Sequence, residues 1–286
     1  MTHPLEQSRL CASCIPYVIA GLSSDADIRA WHIMIRSGDI QVATILIEPV
    51  YQKESLPVLI YNRGGNQLFN SLTPERIVRR LVPIVQAGYV VIASQYRGGE
   101  GSEGSDEFGG KDVDDILVLY ELLKSHPGAD LKRIGMFGES RGGMMTYLAL
   151  QRVDWIRAAI SIGGFSNLPR ASELRPEMAD VFKECFGGSM DAMVERSAVH
   201  HAQRFSKSAP LLLMHGASDW RVSPLDTLDL SAALIRERVP HRAIVFEGAD
   251  HMLSEHRTEV QQYILIWLQH YVKELQPWPN PEPHGR

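Results

Sequence analysis

Short apolar runs alternate with longer stretches of mixed polarity along most of this chain, and the rhythm changes near Pro49. Before that point, residues 28–36 and 41–47 are apolar-rich and flank Ser37-Gly38-Asp39, which predicts an antiparallel hairpin. After it, strands are predicted at 57–61, 89–94, 133–137, 156–162, 211–215 and 243–247. Helices are predicted between and beyond them, at 74–87, 112–124, 142–152, 224–237 and 255–275. The strands are runs of Val, Ile and Leu with little polar alternation, which suits a parallel sheet buried on both faces. Functional residues of such a sheet lie just beyond the C-terminal ends of its strands. One stretch breaks the alternation. Residues 167–208 hold no predicted strand but space Met178, Val181, Phe182, Met190, Met193 and Val194 at helical intervals. This stretch reads as a helical cap or lid inserted into a single α/β domain over 1–286, with its core over 25–275. The proline-rich tail from Pro277 cannot continue a helix and is expected to lie on the surface or without order.

Applied along the chain, the strand-end rule selects a small set of residues. Gly138-Glu139-Ser140-Arg141-Gly142 follows the apolar run at 133–137 and leads into a helical pattern, the setting in which G-x-S-x-G forms a nucleophile elbow. Glycines two before and two after Ser140 relieve crowding in a strained turn, and the helix N-terminus favours developing negative charge there. A serine nucleophile needs a base held by a carboxylate, and in this fold the chain order is Ser, acid, His. His251 lies directly after the strand at 243–247, whereas His200 and His201 fall in the insertion and His215 ends a strand, where packing or loop orientation is expected of it. His256, at the start of the last helix, is the rival. Asp219 lies four residues past the strand at 211–215. Asp250 is the competing acid, but a residue adjacent to His251 seldom reaches its ring in the required geometry. The oxyanion donors are expected to be the backbone N–H of Arg141 and that of Gly64 or Gly65, in the Asn62-Arg63-Gly64-Gly65 loop.

Composition then removes classes of function. A net charge of −5 gives no reason to expect nucleic acid or an anionic membrane as partner, and no apolar run approaches a bilayer span. The N-terminus lacks the features of a secretion signal, so a cytoplasmic protein is expected. Cys11-Ala12-Ser13-Cys14 is an isolated C-x-x-C pair with no second pair, and an incidental or structural role is expected for it and for Cys185. Gly99-Glu100-Gly101-Ser102-Glu103-Gly104 has the form of a dinucleotide-binding loop, yet acidic residues surround it and the next helix starts too late to cradle phosphate. No cofactor and no metal are expected.

Four segments together resemble the catalytic domain of the prolyl oligopeptidase family of serine hydrolases. They are Gln95-Tyr96-Arg97-Gly98-Gly99, Gly138-Glu139-Ser140-Arg141-Gly142-Gly143, His215-Gly216-Ala217-Ser218-Asp219-Trp220-Arg221-Val222 and Gly248-Ala249-Asp250-His251. The resemblance implies an α/β-hydrolase fold with Ser140 as nucleophile, Asp219 as orienting acid and His251 as general base. Two features depart from the family: the 50-odd N-terminal residues are too few for its β-propeller, and Arg63 stands where the oxyanion loop usually has an aromatic residue or histidine. The expected activity is acyl-enzyme hydrolysis of a small ester or a short peptide. A carboxylesterase without peptidase activity is one alternative, and a hydrolase-fold binding protein without turnover is another.

Overall fold

The computed structural model describes residues 3–23, 26–278 and 280–285. Its centre is a nine-stranded sheet. In chain order the strands are β1 (Cys11–Pro16), β2 (Ile28–Ser37), β3 (Ile40–Pro49), β4 (Leu56–Asn62), β5 (Val90–Ser94), β6 (Ala129–Glu139), β7 (Ala158–Ile162), β8 (Leu211–Gly216) and β9 (His241–Phe246). They are arranged β1-β2-β3-β5-β4-β6-β7-β8-β9. The pairs from β1 through β3 to β5 are antiparallel, and every pair from β5 to β9 is parallel. This is the mostly parallel sheet of an α/β-hydrolase. The predicted hairpin is β2–β3, which turns at Gly38 with φ +62°.

Helices cover both faces. On one side lie α3 (Asp114–Leu123), α4 (Arg141–Leu150) and α8 (Pro224–Arg236), which share a core with Val58, Ile92 and Met136. On the other lie α1 (Pro74–Arg80), α2 (Val82–Gln86) and α9 (Arg257–Leu268), packed on Leu59, Val91 and Phe137. Alternate residues of each central strand feed opposite cores, which is why these strands read as unbroken apolar runs. The stretch between β7 and β8 carries α5 (Leu168–Leu174), α6 (Pro176–Phe186), α7 (Met190–Glu195) and a 3-10 turn over Ala198–Arg204. Its Met178, Phe182 and Met193 are buried, and Asp226 of α8 anchors its start by accepting from the Ser166 and Asn167 amides.

Several elements differ from the sequence expectation, each for a local reason. The helix predicted over 74–87 is two helices, because Pro83 has no N–H to continue the ladder. The last helix begins in a 3-10 turn and ends in a π turn, so its α-helical part is shorter than predicted. β1 was not predicted. Only Cys14 of its six residues is buried, and its small and polar sequence, Cys-Ala-Ser-Cys-Ile-Pro, carries almost no apolar signal. The tail lies against the body, where Trp278 packs under the Arg157 guanidinium at 4.1 Å and Glu282 pairs with Arg238 at 2.7 Å. Pro279 and Arg286 of that tail lie outside the described residues, as do residues 1, 2, 24 and 25. Among the described residues, no helix is long and apolar enough to cross a membrane.

One buried carboxylate ties the antiparallel end of the sheet to the rest. Glu48 of β3 faces Arg29 Nε at 2.8 Å across the hairpin, His126 Nε2 at 3.0 Å and His3 Nε2 at 3.5 Å. Burial pushes its carboxyl up, but the two imidazoles and the guanidinium outweigh burial and hold it well below the usual carboxylate range. A depressed carboxylate contributes stability that is present above its unfolded value, roughly 4, and is lost as pH falls below it. Glu48→Gln should therefore lower unfolding free energy at neutral pH by about 1–3 kcal/mol. It should also flatten the loss of stability in acid. Urea unfolding measured between neutral pH and acid checks both, and an unchanged acid slope would contradict this account.

Candidate active site

β6 delivers the chain into Ser140, which has φ +57° and ψ −125° before α4 starts at Arg141. A non-glycine residue in that region costs on the order of 1–3 kcal/mol and persists only where its surroundings hold it. Here the Ser140 N–H donates to Ile162 O at 2.8 Å, at the end of the neighbouring strand β7. The approach of the two limbs is too close for side chains. A Cβ on Gly138 would lie 2.0 Å from Gly142 O, and one on Gly142 would lie 1.9 Å from Asn62 O. Glu139, buried between them, accepts from the Tyr61 hydroxyl at 2.5 Å and pairs with Arg80 Nε at 3.2 Å, fixing α1 to the turn.

The loops after β8 and β9 meet behind the turn. Asp219 Oδ2 lies 2.6 Å from His251 Nδ1 and 3.0 Å from His215 Nε2, and Oδ1 accepts from the Arg221 and Val222 amides at 2.8 and 3.0 Å. Burial pushes this carboxyl up, but the two imidazoles and the backbone amides outweigh it and hold it well below the usual range. With a carboxylate at Nδ1, the His251 proton resides there and Nε2 keeps its lone pair. The competing residues are engaged elsewhere. Asp250 Oδ1 accepts from the Met252 and Ser254 amides, and His256 Nε2 faces Glu247 O at 3.1 Å.

His215 does more than pack. Its Nε2 faces two acceptors, Asp219 Oδ2 and Val222 O, so that nitrogen carries the proton, while Nδ1 meets Thr227 Oγ1 at 2.7 Å. It gives the Asp219 carboxylate a second imidazole donor. The sequence clue is its position at the end of a strand, four residues before the acid.

Ser140 and His251 line one cavity of about 200 Å³ with Gly65 and Arg141, and Met178 and Val181 of α6 form part of its wall. Asp219 reaches His251 from behind. Gly64 lies against the turn, since a Cβ there would sit 3.0 Å from Glu139 O and 3.1 Å from the Ser140 Cβ. Arg141 opens α4, so its backbone N–H has no intrahelical partner.

Two buried arginines support the cavity from below. The Arg141 guanidinium binds Asp106 Oδ2 at 2.5 Å, Asp112 and Gly65 O, and stacks over Tyr96 and Phe108. Burial opposes its charge, but the two aspartates outweigh burial and raise its pKa. The Asp112 carboxyl is pushed up by burial despite Arg141, whereas Asp106, buried too, is held down by Arg141 and two amides. Arg63 donates only to backbone, to the carbonyls of Gly64, Gln67, Phe69 and Gln95. Burial and the nearby Arg141 lower its pKa to about 10. At this position it staples the 63–70 loop shut. The glycine-rich loop at 99–104 seals the edge of β3, with Ser102 Oγ accepting from the Ala43 N–H and Glu103 Oε2 from the Gln41 N–H.

One buried group has the spacing of a metal site: His3, Glu48 and His126. Its tautomers oppose ligation. Each Nδ1 accepts from a backbone N–H, of Leu5 at 3.2 Å and of Gly128 at 3.0 Å. The Nε2 atoms facing Glu48 therefore carry the protons that a metal would have to replace. Cys11, Cys14 and Cys185 are free thiols, and burial pushes those of Cys14 and Cys185 up to about 12.

Residues 77–275 match the prolyl oligopeptidase family of peptidases. The chain belongs to this family of serine-type peptidases. It is 31% identical over 206 residues to the uncharacterized peptidase YtmA of Bacillus subtilis, covering 70% of this chain and 77% of that one. The fold is similar to that of a puromycin-hydrolyzing peptidase of Mycobacterium tuberculosis, with a TM-score of 0.78 and 23% identity over 88% of this chain and 41% of the other. It is also similar to the acetyl xylan esterase of a Paenibacillus species, with a TM-score of 0.70 and 15% identity over 92% and 90% of the two chains. The chain thus spans less than half of the mycobacterial peptidase and most of the esterase.

The Arg141 network makes a stability prediction separate from chemistry. Arg141→Met leaves two buried aspartates without their cation, and unfolding free energy should fall by about 3–5 kcal/mol in urea titrations at neutral pH. A loss within the range of ordinary surface substitutions would show that the cluster holds nothing together.

Proposed function

We propose that this chain hydrolyses acyl compounds through an acyl-enzyme formed on Ser140. The observation that carries the reading is the 2.6 Å bond from His251 Nδ1 to Asp219, with His251 and Ser140 lining the same cavity. In this reading Ser140 Oγ attacks the substrate carbonyl carbon as His251 Nε2 takes its proton. The carbonyl oxygen becomes the oxyanion and receives the backbone N–H of Arg141 and that of Gly64 or Gly65. Collapse expels the leaving group, which takes the proton from His251. Water, deprotonated by the same nitrogen, then releases the acyl group and restores Ser140. Asp219 keeps the His251 proton on Nδ1 and stabilises the imidazolium, and His215 acts as a positioning residue for that carboxylate.

Family membership and the likeness to YtmA, a peptidase, support a short peptide as substrate. A cavity of about 200 Å³ roofed by α6 suits one acyl residue rather than a folded protein. The second reading is an esterase, favoured by a likeness to the acetyl xylan esterase that extends over most of both chains.

A fluorophosphonate probe should label the wild type and fail to label Ser140→Ala, and labelling that survives the substitution would remove Ser140 from the mechanism. Asp219→Asn should lower kcat by roughly 10⁴-fold, the scale known for orienting aspartates in serine proteases. Rates on N-acyl aminoacyl p-nitroanilides against p-nitrophenyl acyl esters separate the two substrate readings. Turnover of the esters alone would leave only the esterase.

A further inference from the structure

A second cavity, of about 310 Å³, opens beside the first and shares Phe69, Asn70, Arg221 and His251 with it. It reaches His251 without including Ser140. Three of its wall residues are arginines: Arg76 and Arg79, one helical turn apart on α1, and Arg221 from the loop that carries Asp219. Among the described residues none of the three has a carboxylate partner; the ion pair of α1 is made by Arg80 with Glu139. Arg76 donates to the neutral Asn70 side chain at 2.6 Å, and the Arg221 guanidinium lies over the Trp220 ring at 5.0 Å. The one acid on the wall, Asp250, has Oδ1 occupied by two backbone amides. Three cations against one carboxylate thus leave an excess of positive charge at one mouth of a protein whose net charge is −5.

We propose that this cavity is a subsite for an anionic group on the leaving-group side of the scissile bond. The inference rests on the acyl-enzyme reading for the word "leaving". His251 hands its proton to the departing atom, so that atom and the remainder of the leaving part lie on the His251 side, toward the arginines. Guanidinium groups match a carboxylate in shape and hydrogen bonding, and a concave wall with an excess of one sign concentrates the field. The substrates selected are short acylated peptides, or the matching esters, whose leaving part ends in a free carboxylate. Hydrolysis then releases an amino acid or short peptide with its own C-terminus. Internal segments of long chains and C-terminally amidated peptides lack the recognised charge.

The test measures binding and needs no turnover. N-acetyl-trialanine and its C-terminal amide are titrated calorimetrically into the full chain carrying Ser140→Ala. The acid should bind about tenfold more tightly than the amide at low ionic strength, and the advantage should shrink in high salt. Adding Arg76→Gln and Arg79→Gln should abolish the advantage while the amide's affinity changes by less than about twofold. If the double substitution unfolds the protein, Arg79→Gln alone, at an exposed position without a hydrogen bond, should still reduce the advantage several-fold. Equal binding of acid and amide, no binding of either, or an advantage that survives the substitutions overturns the subsite. Fluorophosphonate labelling tests the other premise separately. A carboxylate preference without labelling of Ser140 removes the catalytic reading alone, and labelling without the preference removes the subsite alone.

Discussion

The contact on which most of this structure depends is the approach of Gly142 to the carbonyl of Asn62, at the end of the neighbouring strand β4. It leaves no room for a Cβ, as does the contact of Gly138 with Gly142. Together they hold the turn in which Ser140 takes a positive φ. The strain is small beside what surrounds it: every residue of α4 is buried. Burying each large apolar side chain contributes about 1.5–3 kcal/mol, so the helix can hold the turn without special compensation. Once the helix start is fixed, so is Arg141. That side chain in turn fixes Asp106, Asp112 and the loop at Gly65.

The charges obey a consistent division. Under the cavity, Arg63 and Arg141 flank Tyr96 and are held by backbone carbonyls and two aspartates. These charges are buried and paired, so they organise loops. Behind the cavity, Asp219 gathers four donors, two imidazole and two amide. Such a carboxylate has little freedom to rotate, and the ring bonded to it inherits that fixed orientation. At the second mouth the arginines are half-buried or exposed and lack anionic partners. There, three arginines face one carboxylate, and positive charge is left over for something outside the chain.

How much of this was legible in the sequence depended on the range of the interaction. The inner parallel strands could be read because burial on both faces makes them continuous apolar runs. Ser140, Asp219 and His251 are candidates because each stands just past an apolar run, and the structure joins Asp219 to His251 and places Ser140 and His251 on one cavity. β1 could not be read, since Cys11-Ala12-Ser13-Cys14-Ile15-Pro16 offers no apolar run, unlike Ala243-Ile244-Val245-Phe246 at the other edge. The break at Pro83 is marked by the proline itself, but the longer helical pattern on either side masks it. His215 was visible as a strand-end residue, but its bond to the acid needs the turn at 216–222 to fold back, which no spacing reveals. The arginine pairings join loops far apart in the chain, so Arg63 registered only as an unusual residue in a glycine-rich loop.

The position of the second cavity bears on whether esters or amides are cleaved. An alkoxide or phenolate can depart with little assistance, whereas an amine must be protonated as its bond breaks. In the proposed acyl-enzyme reaction, amide cleavage would therefore depend on holding the leaving nitrogen close to His251 Nε2. A carboxylate held by Arg76 and Arg79 would anchor the leaving part from its far end and draw that nitrogen toward the ring. Binding energy from a remote group would then lower the barrier of the step that distinguishes a peptidase from an esterase. On that reasoning the substrate's charge and the nature of the scissile bond are one question. If the arginines contribute only to affinity, removing them should raise KM alone. If they position the leaving nitrogen, amide turnover should lose kcat as well, while ester turnover keeps it.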